Sequence, residues 1–238
     1  MIRDAMLGAA TYLGDNTAPV LDDIVAGLCA TGFEIAVDAT AGRDSTDAAR
    51  HAADVDLVWM CGSLASVMLA AGRLDHEVVA APVFPGEANA LYRSVFVVRG
   101  DGPESLEEAL DATIGINEPE SWSGNHGLRR FVAAQPAPGW FTSEVPTGSH
   151  RGSLGAVATG MCDVAGIDSS IWNAMAAAGD PVLAGLRVIG TTDDWPAPPL
   201  LIGPNAPPGL AAALLGLRPA GLVGLAPATT EDYSFMRV

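Results

Sequence analysis

The chain has 238 residues, 49% of them hydrophobic and 17% charged, a balance that excludes disorder and allows one large core or two lobes of about 100 residues each. Its net charge is −16 and all twelve basic residues are arginine, which excludes a lysine Schiff base, a phosphate-loop lysine and a lysine nucleophile. An acidic surface of this kind also excludes nucleic acid as the expected partner, and Cys29, Cys61 and Cys162, odd in number and set far apart in apolar runs, read as buried free thiols.

In chain order, short β-branched apolar runs alternate with helical patterns. "DAMLGAA" reads as a strand, "APVLDDIVAGLCATG" as a helix, "FEIAVD" as a strand and "STDAARHAAD" as a helix. "VDLVWMCG" (strand), "SLASVMLAAG" (helix) and "EVVAAPVF" (strand) follow. The pattern then changes at "YRSVFVVRG", a strand that ends in the turn "GDGPES", and "SLEEALDA" starts a second alternating series. That series runs through the strand "TIGIN", a helix from Ser123, a strand near "WFTSEVPTG", the helix "HRGSLGAVATG", the strand "CDVAGID" and the helix "SSIWNAMAAAG". "LRVIGTTDDWPAPPLLIG" is extended because its prolines exclude helix, and "PPGLAAALLGL" is a short helix. The C-terminal "TTEDYSFMRV" is too irregular to assign.

This rhythm predicts an α/β protein of two lobes, each a mainly parallel sheet flanked by helices, with residues 1–92 plus 193–238 in one lobe and 93–192 in the other. Two extended crossings would join the lobes and bound a cleft, with hinge motion near residues 93–98 and 188–192. No segment offers about 18 uninterrupted apolar residues, so no membrane span is expected. The N-terminal "MIRDAMLGAATYLGD" lacks the features of a secretory signal, which predicts a cytoplasmic location for the chain as written; an extracytoplasmic location is the alternative if a leader has been removed.

Several strand ends carry small hydrogen-bonding residues where a helix begins. "NEPESWSGNHGLRR" places Ser121, Ser123 and Gly124 at one such junction, "PTGSHRGSLGAV" places Ser149 and His150 at another, and "DVAGIDSSIW" ends a strand at Asp168. Unpaired N–H groups and the macrodipole make helix starts suited to anions, and in parallel sheets ligands bind at the carboxyl ends of strands. Each residue taken singly also fits a helix cap. The aromatic residues Tyr12, Trp59, Tyr92 and Trp122 fit either core packing or an apolar wall around an organic ligand. No metal ligand set and no cofactor motif stands out, so neither is expected.

The order "YRSVFVVR", "ESWSGN", "GSHRGSLGAVATGMCDVAGIDSSIW", "LRVIGTT" resembles the phosphonate and phosphate/phosphite substrate-binding proteins of ABC transporters, a type II periplasmic-binding fold, over roughly residues 56–199. The resemblance implies a ligand site at Tyr92 and Ser94, the turn Ser121, Trp122, Ser123 and Gly124, the pair Ser149 and His150, and Asp168, which in that family position holds an amino group. Asp163 is then structural. Trp122 stands where the family usually has threonine, so one hydroxyl donor is missing. Glu118, Glu120 and Asp168 favour a ligand that also carries a cation. The implied partners are a small anionic or zwitterionic molecule and an ABC transporter permease, with no catalysis. A second reading is a cytosolic enzyme on the same fold, resembling the naphthoate-forming enzymes of the alternative menaquinone route, with His150 as general acid or base oriented by Asp168 or Glu120. A third is a binding module with a degenerate pocket.

Overall fold

A computed structural model describes residues 7–11, 18–37, 51–109, 111–135 and 141–237. In chain order the elements are β1 (Leu7–Thr11), α1 (Ala18–Ala30), β2 (Ile35–Val37), a 3-10 turn (Ala52–Asp54), β3 (Leu57–Trp59), α2 (Gly62–Ala70), β4 (Glu77–Val83), β5 (Leu91–Tyr92) and β6 (Ser94–Arg99). Then come α3 (Leu106–Ala109), β7 (Thr113–Ile116), a π-helical turn (Trp122–His126) running into α4 (Gly127–Ala133), β8 (Ser143–Pro146), α5 (His150–Thr159), β9 (Val164–Asp168) and α6 (Ser169–Ala177). A 3-10 turn (Pro181–Leu183), β10 (Leu186–Thr191), β11 (Trp195–Pro196), β12 (Leu200–Ile202), α7 (Leu210–Gly216), β13 (Gly224–Pro227) and a closing 3-10 helix (Thr230–Met236) complete the chain.

Three expectations need correction or restriction. The helix expected over "STDAARHAAD" lies mostly outside the described residues; of the described part, His51 is α-helical and Ala52–Asp54 form a 3-10 turn. The helix expected from Ser123 begins as a π-helical turn at Trp122, with the α-helix proper starting at Gly127. The C-terminal stretch left unassigned is a 3-10 helix, closed by a capping box in which Thr229 and Asp232 satisfy each other's backbone N–H groups.

The chain divides into two compact units, residues 1–91 with 196–238 and residues 92–195. The first contains a six-stranded sheet in the order β13-β4-β12-β3-β1-β2. β1 pairs in parallel with β2 and β3, while β12 is antiparallel to β3 and β4, and β13 is antiparallel to β4. Helix α1 buries Leu21, Ile24, Val25 and Leu28, the i, i+3, i+4, i+7 stripe that places one face on a sheet. That stripe packs with Ile35, Leu57, Trp59, Leu200, Leu210 and Leu214. The Trp59 ring is fully buried and its Nε1–H donates to the Pro198 carbonyl at 3.0 Å, so burial leaves no unpaired indole donor.

The second unit contains a five-stranded sheet in the order β10-β6-β9-β7-β8. β7 is parallel to β8 and β9, and β6 is antiparallel to β9 and β10, so both sheets are mixed rather than mainly parallel as expected, the returning strands of the chain pairing antiparallel to the first ones. Alternation along β6 explains how the sheet is covered on both faces. Val95 and Val97 join one core with Leu154, Val157, Ala165 and Ile167, while Phe96 and Val98 join the other with Ile114, Leu128, Val132 and Val164. Gly166 on β9 is required by this packing, since a Cβ there would overlap the Leu128 side chain.

Candidate functional site

The second unit gathers the polar strand ends at one sheet edge. Because β7, β8 and β9 run the same way, Asn117, Thr147 and Asp168 all lie at or just beyond their C-terminal ends. β6 runs oppositely, so its first residue, Ser94, sits at this same edge opposite Asp168. Ser94 N–H donates to Thr192 Oγ1 and Thr192 N–H donates back to the Ser94 carbonyl, each at 3.0 Å, which fixes the end of the sheet beyond β10.

After β7 the chain turns through Ser121, whose side chain caps the π-helical turn by accepting from Gly124 N–H at 3.0 Å. Ser94, fully buried, donates its hydroxyl hydrogen to the Ser123 carbonyl at 2.6 Å and so anchors the turn to β6. Gly124 allows the closest approach in this region: a Cβ there would overlap the Asn117 side chain. Gly127 similarly leaves room for the indoles of Trp122 and Trp195.

After β8, Ser149 is the N-cap of α5, accepting from Gly152 N–H at 2.9 Å, and His150 is the first helical residue. The Thr147 hydroxyl lies 2.6 Å from that of Ser153 and donates to the Ile116 carbonyl at 3.1 Å, tying the approach to α5 onto β7. This brings His150 Nε2 to 3.1 Å from Ser123 Oγ, with Asn117 Nδ2 at 3.3 Å from the same ring nitrogen. His150 as a residue is half-buried, but its Nδ1 is enclosed and makes no well-formed hydrogen bond. Burial pushes the imidazole pKa down to about 4, an effect only partly countered by the Gly166 backbone, so the ring is neutral near pH 7. Asn117 is 8% exposed and its Oδ1 also has no protein partner. A buried acceptor of this kind ordinarily takes its hydrogen from water or a ligand.

Asp168 lies 6% exposed at the end of β9 and acts as the N-cap of α6, its Oδ1 accepting from Ser170 N–H at 2.8 Å and Ser170 Oγ–H at 2.6 Å. Asn117 and Ser123 lie against His150 Nε2, each within hydrogen-bond distance of it. Tyr92 and Trp122, 2% and 1% exposed, pack against Trp195 edge to face, with ring centroids at 6.1 Å and 5.6 Å. Both rings are thereby engaged in packing within the second unit. Tyr12 lies outside the described residues.

The structure thus brings Ser94, Ser121, Ser123, Gly124 and His150 into one hydrogen-bonded cluster with Ser149 capping the adjoining helix, and adds Asn117, Thr147 and Thr192, which sequence reasoning did not single out. Arg129 bridges Asn125 Oδ1 at 2.8 Å and Glu144 at 2.5 Å, and Arg93 pairs with Asp194 at 2.8 Å. Among the described residues no cluster of His, Cys, Asp and Glu is placed to hold a metal ion, and no helix is long and apolar enough to cross a membrane. The arrangement offers an oxyanion neutral donors: serine hydroxyls gathered at two strand-to-helix junctions.

Compared with known families, the chain matches the model described as ABC transporter, phosphonate, periplasmic substrate-binding protein, over residues 13–233. No curated protein sequence matches it. Among solved structures it is similar to a binding protein component of an ABC phosphonate transporter from Pseudomonas aeruginosa, at 18% identity, with 95% of this chain and 82% of that chain covered and a TM-score of 0.73. It is also similar to PhnD1 from Prochlorococcus marinus in complex with methylphosphonate, at 16% identity, 97% and 95% coverage and a TM-score of 0.77. The ligand-binding core of GluR0 from Nostoc punctiforme, in complex with L-glutamate, follows at 13% identity, 89% and 92% coverage and a TM-score of 0.55. These likenesses place the fold among the two-lobed type II periplasmic-binding proteins, the class the sequence predicted.

Proposed function

Because the chain belongs to the family of periplasmic substrate-binding proteins of phosphonate ABC transporters, we propose that it holds a small oxyanion-bearing molecule, phosphonate-like, phosphate-like or zwitterionic, at the strand-end cluster of its second unit. The family is one of transport components, not enzymes, and its members work with a membrane permease outside the cytoplasm. The observation that carries the proposal is the meeting of Ser123 Oγ with His150 Nε2 at 3.1 Å beside a buried Asn117 oxygen that no protein group satisfies.

Three features support an oxyanion as the ligand. The donors come from two separate strand-to-helix junctions at one sheet edge, where unpaired N–H groups and helix dipoles favour negative charge. His150 is held neutral by burial, so recognition rests on hydrogen bonding rather than on a full positive charge. Asp168 keeps its carboxylate at the same edge, which suits a ligand that also carries an ammonium group. The residues assigned to the site are Ser121, Ser123, Gly124, Ser149, His150 and Asp168, with Ser94 holding the turn and Tyr92 and Trp122 packed behind it.

The test is a calorimetric and thermal-shift screen of phosphate, phosphite, methylphosphonate and aminoethylphosphonate, with small carboxylates as controls. A ligand at about 100 times its Kd stabilises the fold by about 2.7 kcal/mol, a shift of several degrees for a chain of this size. The reading requires that a phosphorus oxyanion produce this shift and that Ser123→Ala and His150→Ala each reduce it. If only carboxylates stabilise the protein, the assignment to phosphorus oxyanions is wrong.

A further inference from the structure

We infer that Asn117 is a positioning residue: its Nδ2–H donates to His150 Nε2, holds the ring in the tautomer protonated on Nδ1, and so leaves the Ser123 hydroxyl hydrogen free for a ligand. Only the last step rests on the oxyanion-binding reading above. The first two concern the protein alone.

The argument is one of donor and acceptor capacity. A neutral imidazole nitrogen either carries a hydrogen or offers a single lone pair, and which nitrogen is protonated is set by the hydrogen bonds around the ring. The amide nitrogen of Asn117 can only donate, and it lies 3.3 Å from Nε2. Nε2 therefore accepts, and the proton sits on Nδ1. Ser123 Oγ lies 3.1 Å from the same Nε2, but one lone pair already engaged by Asn117 does not require a second hydrogen from Ser123. The hydroxyl hydrogen can turn to an anion. Were Nε2 protonated instead, two donors would face each other in a buried setting and Ser123 would be held there as an acceptor.

The surroundings fix Asn117 for this task. It follows β7 directly, is 8% exposed, and rests on Gly124, where any side chain would overlap it. Burial of the imidazole disfavours the doubly protonated ring, in which Nε2 would carry a hydrogen. The Gly124 position and the Asn117 position thus form one unit: the glycine admits the amide, and the amide sets the histidine.

The experiment is nitrogen-15 NMR of the imidazoles in the ligand-free protein above pH 6.5, with His150 identified among the four histidines by its loss in His150→Gln. The expected result is a protonated Nδ1 and an unprotonated Nε2 for His150. Asn117→Asp, which puts an acceptor in place of the donor, should move the proton to Nε2, and Asn117→Leu should abolish the preference. In parallel, methylphosphonate affinity should fall about three- to tenfold in Asn117→Leu, the range of one net hydrogen bond. A wild-type ring protonated on Nε2 overturns the inference, and that result depends on neither Asn117 variant. An unchanged tautomer in both variants overturns it as well. If the tautomer responds as expected while methylphosphonate does not bind the wild type, the positioning role stands and the ligand assignment fails.

Discussion

Ser94, at the first position of β6, donates its hydroxyl hydrogen to the carbonyl of Ser123 at 2.6 Å, across 29 residues of sequence. This bond ties the π-helical turn to the sheet, and both residues are buried. Ser94→Ala removes the donor but leaves the Ser123 carbonyl in place with its desolvation uncompensated. We expect a loss of about 1–3 kcal/mol. Urea unfolding should show a lower midpoint with an unchanged slope, because the surface exposed on unfolding stays the same. A midpoint equal to that of the wild type would show that the turn holds its place without β6.

Gly124→Ala is expected to be more damaging than an ordinary glycine substitution, because the new Cβ overlaps Oδ1 and Cγ of Asn117. Overpacking of this kind costs about 1–3 kcal/mol. The cost should shrink when Asn117 is truncated as well, so Gly124→Ala combined with Asn117→Ala should be less unstable than the sum of the single variants. A double-mutant cycle by chemical denaturation measures this coupling. Strict additivity would mean that the Gly124 backbone, rather than its contact with Asn117, sets the requirement.

How much of this was legible in the sequence depends on the range of the interactions. The β-branched runs that became β3, β4, β6, β7 and β9, and the apolar stripe of α1, are local patterns with a definite period, and they predicted the element types and the two-lobed α/β class. The strand β13 was missed because "GLAP" carries the glycine and proline of a loop; its extended form comes from pairing Gly224 and Leu225 with Val83 and Pro82 of β4. The closing 3-10 helix was missed for a related reason: Tyr233 and Met236 are set by packing on Gly62, which no local pattern reveals. Within the site, Ser121, Ser123, Ser149 and His150 stood out as small donors at strand-to-helix junctions. Asn117 did not, since an asparagine after a strand is common turn chemistry and its distinction lies in contacts with Gly124 and His150, 7 and 33 residues away.

The three cysteines should react at well-separated rates in the native protein. Only Cys162, 1% exposed, is the buried thiol the apolar runs led one to expect; Cys29 is exposed, and Cys61 is half-buried with its thiol 3.4 Å from the Ser63 hydroxyl. Burial and the neighbouring Asp163 charge push the Cys162 thiol up to about 11, so its thiolate is scarce at pH 8. Titration with a chromogenic disulfide reagent at pH 8 should modify Cys29 first and Cys61 more slowly, with Cys162 reacting only on addition of denaturant. Fast reaction of all three without denaturant would contradict the packing of Cys162 against β7 at Gly115.

Acid should weaken the fold through His150 in a window that opens above that of the carboxylates. Burial holds its folded-state pKa near 4, against 6.5 for an unburied imidazole. Between those values the unfolded chain takes up a proton at this position and the folded chain does not, so the unfolded state binds more protons and stability falls as pH falls. The full contribution is present above pH 6.5 and is lost by about pH 4, for a total of about 3 kcal/mol. His126, lowered by burial and by Arg129, adds a loss of the same sign. Asp180, lowered by its hydrogen bond to Arg151, begins to lose its contribution as pH falls through the ordinary carboxylate range, at the acid end of this window. His150→Gln keeps a neutral polar side chain without the titration, and its stability should vary less between pH 6.5 and 4 than that of the wild type. Urea midpoints at half-unit pH steps provide the comparison, and parallel curves for the two proteins would show that the imidazole of His150 is protonated as readily in the folded chain as in the unfolded one.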